Sequence, residues 1–246
     1  PKLEMNLFVN ELYSTFNKLF NEGRSVRDII INFISKHSKN QKEVFNWLVE
    51  HKGDSKNACM LGLFYSWDIG IEKSNAEAFD LFFAATNNGD VIAQYFLGRC
   101  YEIGWNTKKN MKKAIEQYYE AAKKGCAAAE YKLGDYFYKI NKYTQAYPLL
   151  KSAADKRNAM ALNTLGLCYQ KGRGTNANKA EGFKIFEQAA KMGLPASQYE
   201  LGNCYEYGEG VEKNWNKALY WYQKAVEKDV NYRNHLKRVE SKIKFD

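Results

Sequence analysis

The chain has 246 residues, is 45% hydrophobic and 15% aromatic, and carries a formal net charge of +9. That apolar share supports a continuous core, the three prolines exclude a long Pro-rich linker, and no apolar run approaches the roughly 18 residues that span a bilayer. The start lacks a basic-then-apolar signal pattern, and because it begins at Pro1 and not Met the chain reads as a piece of a longer protein.

Residues 1–56 read as a block of three helices. Phe8, Leu12, Phe16, Leu19 and Phe20 recur at helical spacing, and Gly23 follows as a stop. Ser25 with Asp28 three residues on reads as a capped start, and Ile29, Ile30, Phe33 and Ile34 supply the stripe behind it. A third helix is expected from Gln41 to His51, with Val44, Phe45, Leu48 and Val49 inward and Gly53 and Asp54 ending it.

Residues 57–229 repeat one pattern five times. Leu-Gly pairs stand at Leu61-Gly62, Leu97-Gly98, Leu133-Gly134, Leu165-Gly166 and Leu201-Gly202, spaced by 36, 36, 32 and 36 residues. Three residues past each Gly stands Tyr65, Tyr101, Phe137, Tyr169 or Tyr205. An Ala-rich aromatic helix follows, as in Ala78, Phe82, Ala85 or Ala218, Tyr222, Val226. A fixed period of this size predicts stacked helix–turn–helix units, each burying its face on the next. In the second unit, helix A is expected over Val91–Ile103 and helix B from Met111 to Lys124. Gly98 sits inside helix A at a cost of about 1 kcal/mol relative to Ala, which close approach of helix B explains. Pro148 removes a hydrogen bond from the third helix B and predicts a bend. After residue 229, Tyr232, Leu236, Val239 and Ile243 make one more amphipathic helix, a C-terminal cap over 230–246.

The fifth unit is the fullest, with Ala196, Tyr199, Leu201, Gly202, Tyr205, Gly208, Gly210, Asn214, Ala218, Tyr222 and Ala225. In this register the chain resembles the Sel-one-like repeat, a relative of the tetratricopeptide repeat with a longer turn between its helices. The Gly172-Arg173-Gly174 and Gly208-Glu209-Gly210 turns resemble that family's glycine turn. The first two units keep one glycine each, Gly70 and Gly104, and the third has only the short Asn141-Lys142-Tyr143. The resemblance implies an all-α, right-handed superhelical solenoid of five repeats, and scaffold or adaptor work in signalling, degradation or cell-wall-synthesis complexes. Residues 1–56 are similar to segments that lie between a protein-kinase domain and such arrays in some fungal proteins, which implies a kinase domain in the same parent chain as a partner. The sequence itself holds no Gly-rich phosphate loop and no catalytic-loop motif.

Signs of chemistry are sparse, and no enzyme, cofactor or metal is expected. The isolated Gly-x-Gly pairs at 172–174 and 208–210 follow no strand and read as helix turns. Ser241 and Lys244 match Ser-x-x-Lys without its companion motifs. His37, His51 and His235 have no ligand-spaced partner. The five cysteines, Cys59, Cys100, Cys126, Cys168 and Cys204, are odd in number and about one per repeat. They suit small packing residues better than disulfides or a metal site, and fit an intracellular, cytoplasmic chain. Two basic spots stand out, Lys108, Lys109, Lys112 and Lys113, and the tail with Arg233, Lys237, Arg238, Lys242 and Lys244.

In tetratricopeptide geometry helix A lines the concave face, and its outward positions fall two before the Leu and two and five after it. These are Tyr95, Arg99 and Glu102; Tyr131, Asp135 and Tyr138; Asn163, Leu167 and Gln170; Tyr199, Asn203 and Glu206. They are the expected binding site for a protein or peptide segment, with Tyr95, Tyr131 and Tyr199 as a ladder of aromatic anchors. Glu102, Asp135 and Glu206 would repel phosphates, which disfavours nucleic acid. RNA or anionic lipid on the basic spots, and self-assembly through the terminal helices, are the alternatives. The oligomeric state stays open.

Overall fold

The computed structural model describes residues 2–243, and among them every regular element is helical. Three helices come first: α1 (Lys2–Asn21), α2 (Val26–Lys36) and α3 (Gln41–Glu50). Five pairs follow: α4 (Ser55–Trp67) with α5 (Asn75–Asn87), α6 (Val91–Ile103) with α7 (Met111–Lys123), α8 (Ala127–Lys139) with α9 (Tyr143–Asp155), α10 (Ala159–Lys171) with α11 (Lys179–Lys191), and α12 (Pro195–Tyr207) with α13 (Trp215–Lys228). A 3-10 turn, Val230–Tyr232, leads to α14 (Arg233–Ile243). The chain forms two compact units, residues 1–133 and 134–246, divided within α8.

The ends of these helices are written locally. Asp54, Asp90 and Asn158 accept backbone N–H groups at the starts of α4, α6 and α10, and Ser74, Asn110, Asn178 and Asn214 do so for α5, α7, α11 and α13. Asp54 therefore begins the next helix and does not end α3. The turn of each long repeat needs two left-handed residues, seven and nine after the Leu. Gly172 with Gly174 and Gly208 with Gly210 supply them in the last two repeats. In the first two, Asp68 (φ 57°) and Asn106 (φ 49°) take the place of the missing glycine, because short polar side chains tolerate this conformation. α9 runs unbroken through Pro148.

The Leu-Gly glycines do let the paired helices close. A Cβ on Gly98 would lie 2.8 Å from the Tyr118 ring, and on Gly202 it would lie 2.7 Å from the Tyr222 ring. Gly62 faces Phe82 and Gly166 faces Phe186 in the same way, and in the short third repeat Gly134 faces Leu150. The aromatic ring of helix B thus occupies the volume that a helix-A side chain would need.

In residues 1–133, α1 packs on α2 through Phe8 and Phe33, with ring centroids 5.4 Å apart. Its buried Phe16 and Phe20 reach Phe96 of α6, and the Asn21 side chain accepts from Ala128 N at the start of α8. α1 therefore runs along the helix-A layer. Val49 is 37% exposed, against the expected inward position. Gly70 sits against the backbone of Gln41, where a Cβ would meet the carbonyl at 2.9 Å. In residues 134–246, Gly174 and Gly210 sit likewise against the carbonyls of Tyr143 and Lys179, the first residues of the preceding helix B. α3 stands to the first repeat as α9 and α11 stand to the repeats after them. At the C-terminal end Val239 is fully buried with Leu201 and Tyr222, and Leu236 packs beside them.

Candidate protein-interaction face

In residues 1–133 the expected positions are Tyr95, Arg99 and Glu102 of α6 and Tyr131 of α8. Tyr95 is 6% exposed, which corrects its assignment as a surface anchor. Phe20 of α1 sits edge-on to it at 5.0 Å, and Phe96 and Tyr118 close its other sides. Burial raises the Tyr95 hydroxyl above its ordinary range. Arg99 and Tyr131 are half-buried. Glu102 accepts from the Tyr118 hydroxyl at 2.5 Å and from Lys132 Nζ at 3.0 and 3.1 Å. Burial alone would push its carboxyl up; the Tyr118 and Lys132 hydrogen bonds and the Lys132 and Arg99 charges outweigh it and hold the carboxyl below its usual value.

In residues 134–246 most of the expected positions are half-buried and held by neighbours. Asp135 pairs with Lys139 at 2.6 Å. Arg173 donates to the Tyr138 hydroxyl and lies over the Tyr138 and Tyr143 rings, 5.1 and 5.0 Å from their centroids. Asn163 accepts from Ser197 at 2.8 Å, Gln170 lies 3.1 Å from Cys204 Sγ, and Leu167 packs against the core of the last repeat. Tyr199 stacks on Tyr232 and meets His235. Asn203 Oδ1 lies 2.6 Å from the Tyr222 hydroxyl, and its Nδ2 donates to Glu200.

Glu206 is not an outward residue: it is 1% exposed. It accepts from the Tyr222 hydroxyl at 2.8 Å and from Arg238 of α14 at 2.7 Å. Its register places it on helix A, but the last helix covers that face.

One pattern in the sequence links helix A to helix B across repeats. Helix B carries Tyr118 or Tyr222 in the two repeats where Glu102 or Glu206 stands 16 residues earlier. Where the same position is Ser66 or Gln170, helix B carries Phe82 or Phe186. A phenol hydroxyl appears in these buried seats where a carboxylate is there to receive it, because an unpaired hydroxyl is costly to bury.

The remaining polar groups have structural settings. His37 and His51 cap helix ends, with Nδ1 2.9 and 2.8 Å from the carbonyls of Phe33 and Trp47. The cysteines are buried, and burial pushes the thiols of Cys100 and Cys204 up to about 12. No group of three metal-ligating side chains occurs among the described residues. Ser241 donates to the Arg238 carbonyl; Lys244, its Ser-x-x-Lys partner and part of the basic tail, lies outside the described residues. Lys108, Lys109, Lys112 and Lys113 are exposed, with Lys113 over the Tyr101 ring at 5.2 Å. No helix among the described residues is long and apolar enough to cross a membrane.

Chitin synthase regulatory factor 3 of Schizosaccharomyces pombe is 25% identical over 182 residues, which are 69% of this chain and 20% of that protein. DAP3-binding cell death enhancer 1 of Rattus norvegicus is 37% identical over 155 residues, 61% of this chain and 30% of its own. The chain thus spans under a third of the length of these relatives. A Sel1 repeat protein of Oxalobacter formigenes has a similar structure, with TM-score 0.73, 25% identity and coverage of 89% of this chain and 86% of that one. The Sel1 repeat itself matches at residues 58–90, 91–126, 127–158, 159–194 and 195–230, and with most of its length so matched the chain belongs to the Sel1 repeat family.

Proposed function

We propose that this chain is a non-enzymatic scaffold that binds a protein segment on its helix-A face. Sel1-repeat proteins generally mediate protein–protein interactions. The observation that carries the reading is that in each unit helix A presents half-buried polar and aromatic side chains: Arg99, Glu102 and Tyr131 within residues 1–133, and Asp135, Tyr138, Asn163, Leu167, Gln170, Tyr199 and Asn203 within residues 134–246. Such side chains are held in place yet reachable, which lowers the entropy lost on binding. Tyr and Arg are also the residue types enriched at binding hot spots. The setting is a cytoplasmic signalling complex, with a kinase domain in the parent chain as one partner, residues 1–56 as a capping or docking block and residues 230–246 as a C-terminal cap.

The test is affinity capture with the unmodified chain beside Tyr131→Ala and a combined Asn163→Ala, Leu167→Ala variant, each checked for unchanged helical content by circular dichroism. Partners lost with the variants support the reading. Equal recovery by all three baits refutes it and moves attention to the lysine cluster at 108–113.

A further inference from the structure

Inside the unit formed by residues 1–133, Arg99 has no ion pair of its own among the described residues, and shares the nearby charge of Glu102 with Lys132. Its Nε is sealed from solvent and has no hydrogen-bond partner. The acidic residue one turn along its own helix, Glu102, is fully engaged: Tyr118 donates to it at 2.5 Å and Lys132 at 3.0 and 3.1 Å. Lys132 and Arg99 both act on the single Glu102 charge, so the three side chains together carry one net positive charge. Among the described residues no ion pair engages the guanidinium. The side chain is half-buried, with Tyr95 in the floor one turn before it and Tyr131 on the next helix A.

We propose that Arg99 is the anchor for a carboxylate of the bound protein segment. This rests on the helix-A reading above and adds the chemistry of the ligand. A guanidinium presents its N–H donors as a planar fork that matches two carboxylate oxygens. A partly desolvated guanidinium gains more from such a pair than an exposed lysine does. Glu102 offsets one of the two cations beside it, Lys132 and Arg99, so the single positive charge that remains suits a carboxylate monoanion better than a phosphate dianion. A nucleic-acid backbone would need several free cations along one track. Here Lys132 is bound to Glu102 and Lys124 is bound to Gln94. The carboxylate belongs either to an Asp or Glu side chain or to a C-terminus.

The probe is a displayed library of random dodecapeptides, presented with free and with blocked C-termini and selected on the full chain. The enriched peptides are then measured by fluorescence anisotropy against the unmodified chain, Arg99→Gln, Arg99→Lys and Tyr131→Ala. The expected result is an acidic residue at one aligned position, or dependence on a free C-terminus, which separates the two sources. Affinity should fall about tenfold on Arg99→Gln and recover in part on Arg99→Lys, the loss expected for one bidentate charged pair. Peptides with no acidic position and no need of a free C-terminus, or equal affinity for Arg99→Gln, overturn the carboxylate anchor. If such peptides still lose affinity on Tyr131→Ala, the helix-A reading survives alone. If neither change matters, or if no peptide is enriched, both fall. Arg99→Lys, which keeps the charge, guards against misreading a folding defect in Arg99→Gln, and circular dichroism checks each variant.

Discussion

Replacing Tyr222 by Phe removes one oxygen atom from the core of the last repeat. Its hydroxyl lies 2.6 Å from Asn203 Oδ1 and 2.8 Å from Glu206 Oε2. The Glu206 side chain is wholly buried, and its Oε1 already lacks a partner. In the variant Arg238 would remain as a donor to that carboxylate, with the Tyr207 hydroxyl beside it. A hydrogen bond to a charged group contributes about 1.5–3 kcal/mol, and the added apolar character of Phe returns little of it, so a loss of about 2 kcal/mol is expected. At about 2–4 °C per kcal/mol for a chain of this size, the melting temperature should fall by about 4–8 °C. Far-UV circular dichroism with heat and urea reads this directly. A double-mutant cycle with Glu206→Gln should give a coupling of about 1 kcal/mol or more. The equivalent Tyr118→Phe should cost less, because Glu102 is 27% exposed and keeps Lys132. A Tyr222→Phe change within about 0.5 kcal/mol of the unmodified chain, or a coupling near zero, would refute the view that the carboxylate is why this ring carries a hydroxyl.

Four further outcomes are expected. Gly210→Ala should destabilise by more than about 2 kcal/mol in urea unfolding, since its Cβ would run into the Lys179 carbonyl oxygen at φ +77°. Gly125→Ala, also at positive φ but with nothing within 4 Å, should cost only about 1 kcal/mol. Phe20→Ala should cost about 3–5 kcal/mol and open the Tyr95 ring, read as increased binding of a hydrophobic dye. The acid limb of stability should respond oppositely to two carboxyls. Glu102 is held below its ordinary 4.5, so its contribution is present above that pH and is lost as pH falls through the folded value; Glu102→Gln should flatten the acid loss. Asp90 is raised above 3.8 by burial, so its contribution holds at low pH and fades as pH rises through the folded value; Asp90→Asn should gain stability at neutral pH relative to acid.

Element boundaries were legible because the signals are local. Stops such as Gly104 act within one turn of chain, and the bounds expected for α6 agree with the observed helix. The close approach at Gly98 was legible too, since a glycine inside a helix weakens it unless a neighbouring helix needs the space. The outward register of helix A was legible only in part. Periodicity assigns a residue to a face but does not say what lies over that face. Tyr95 is covered by α1 and Glu206 by α14, and neither helix carries the repeat. Val49 departs in the converse sense: its apolar character implies burial, yet its position on α3 leaves it 37% exposed. The two missing turn glycines were read as departures from the pattern, although Asp68 and Asn106 satisfy the same backbone requirement.

The contact of Gly174 with Tyr143 and of Gly210 with Lys179 is main chain against main chain. The step from one unit to the next in this half of the molecule is therefore gauged by atoms that every residue possesses. Substitution of the outward side chains of helix A leaves that gauge untouched. A gene that duplicates or loses a whole unit preserves the step as well, since each copy brings its own glycine and its own seat. Surface chemistry and spacing are in this way inherited separately: the outward side chains of helix A can change while the distance between successive units in this half stays the same.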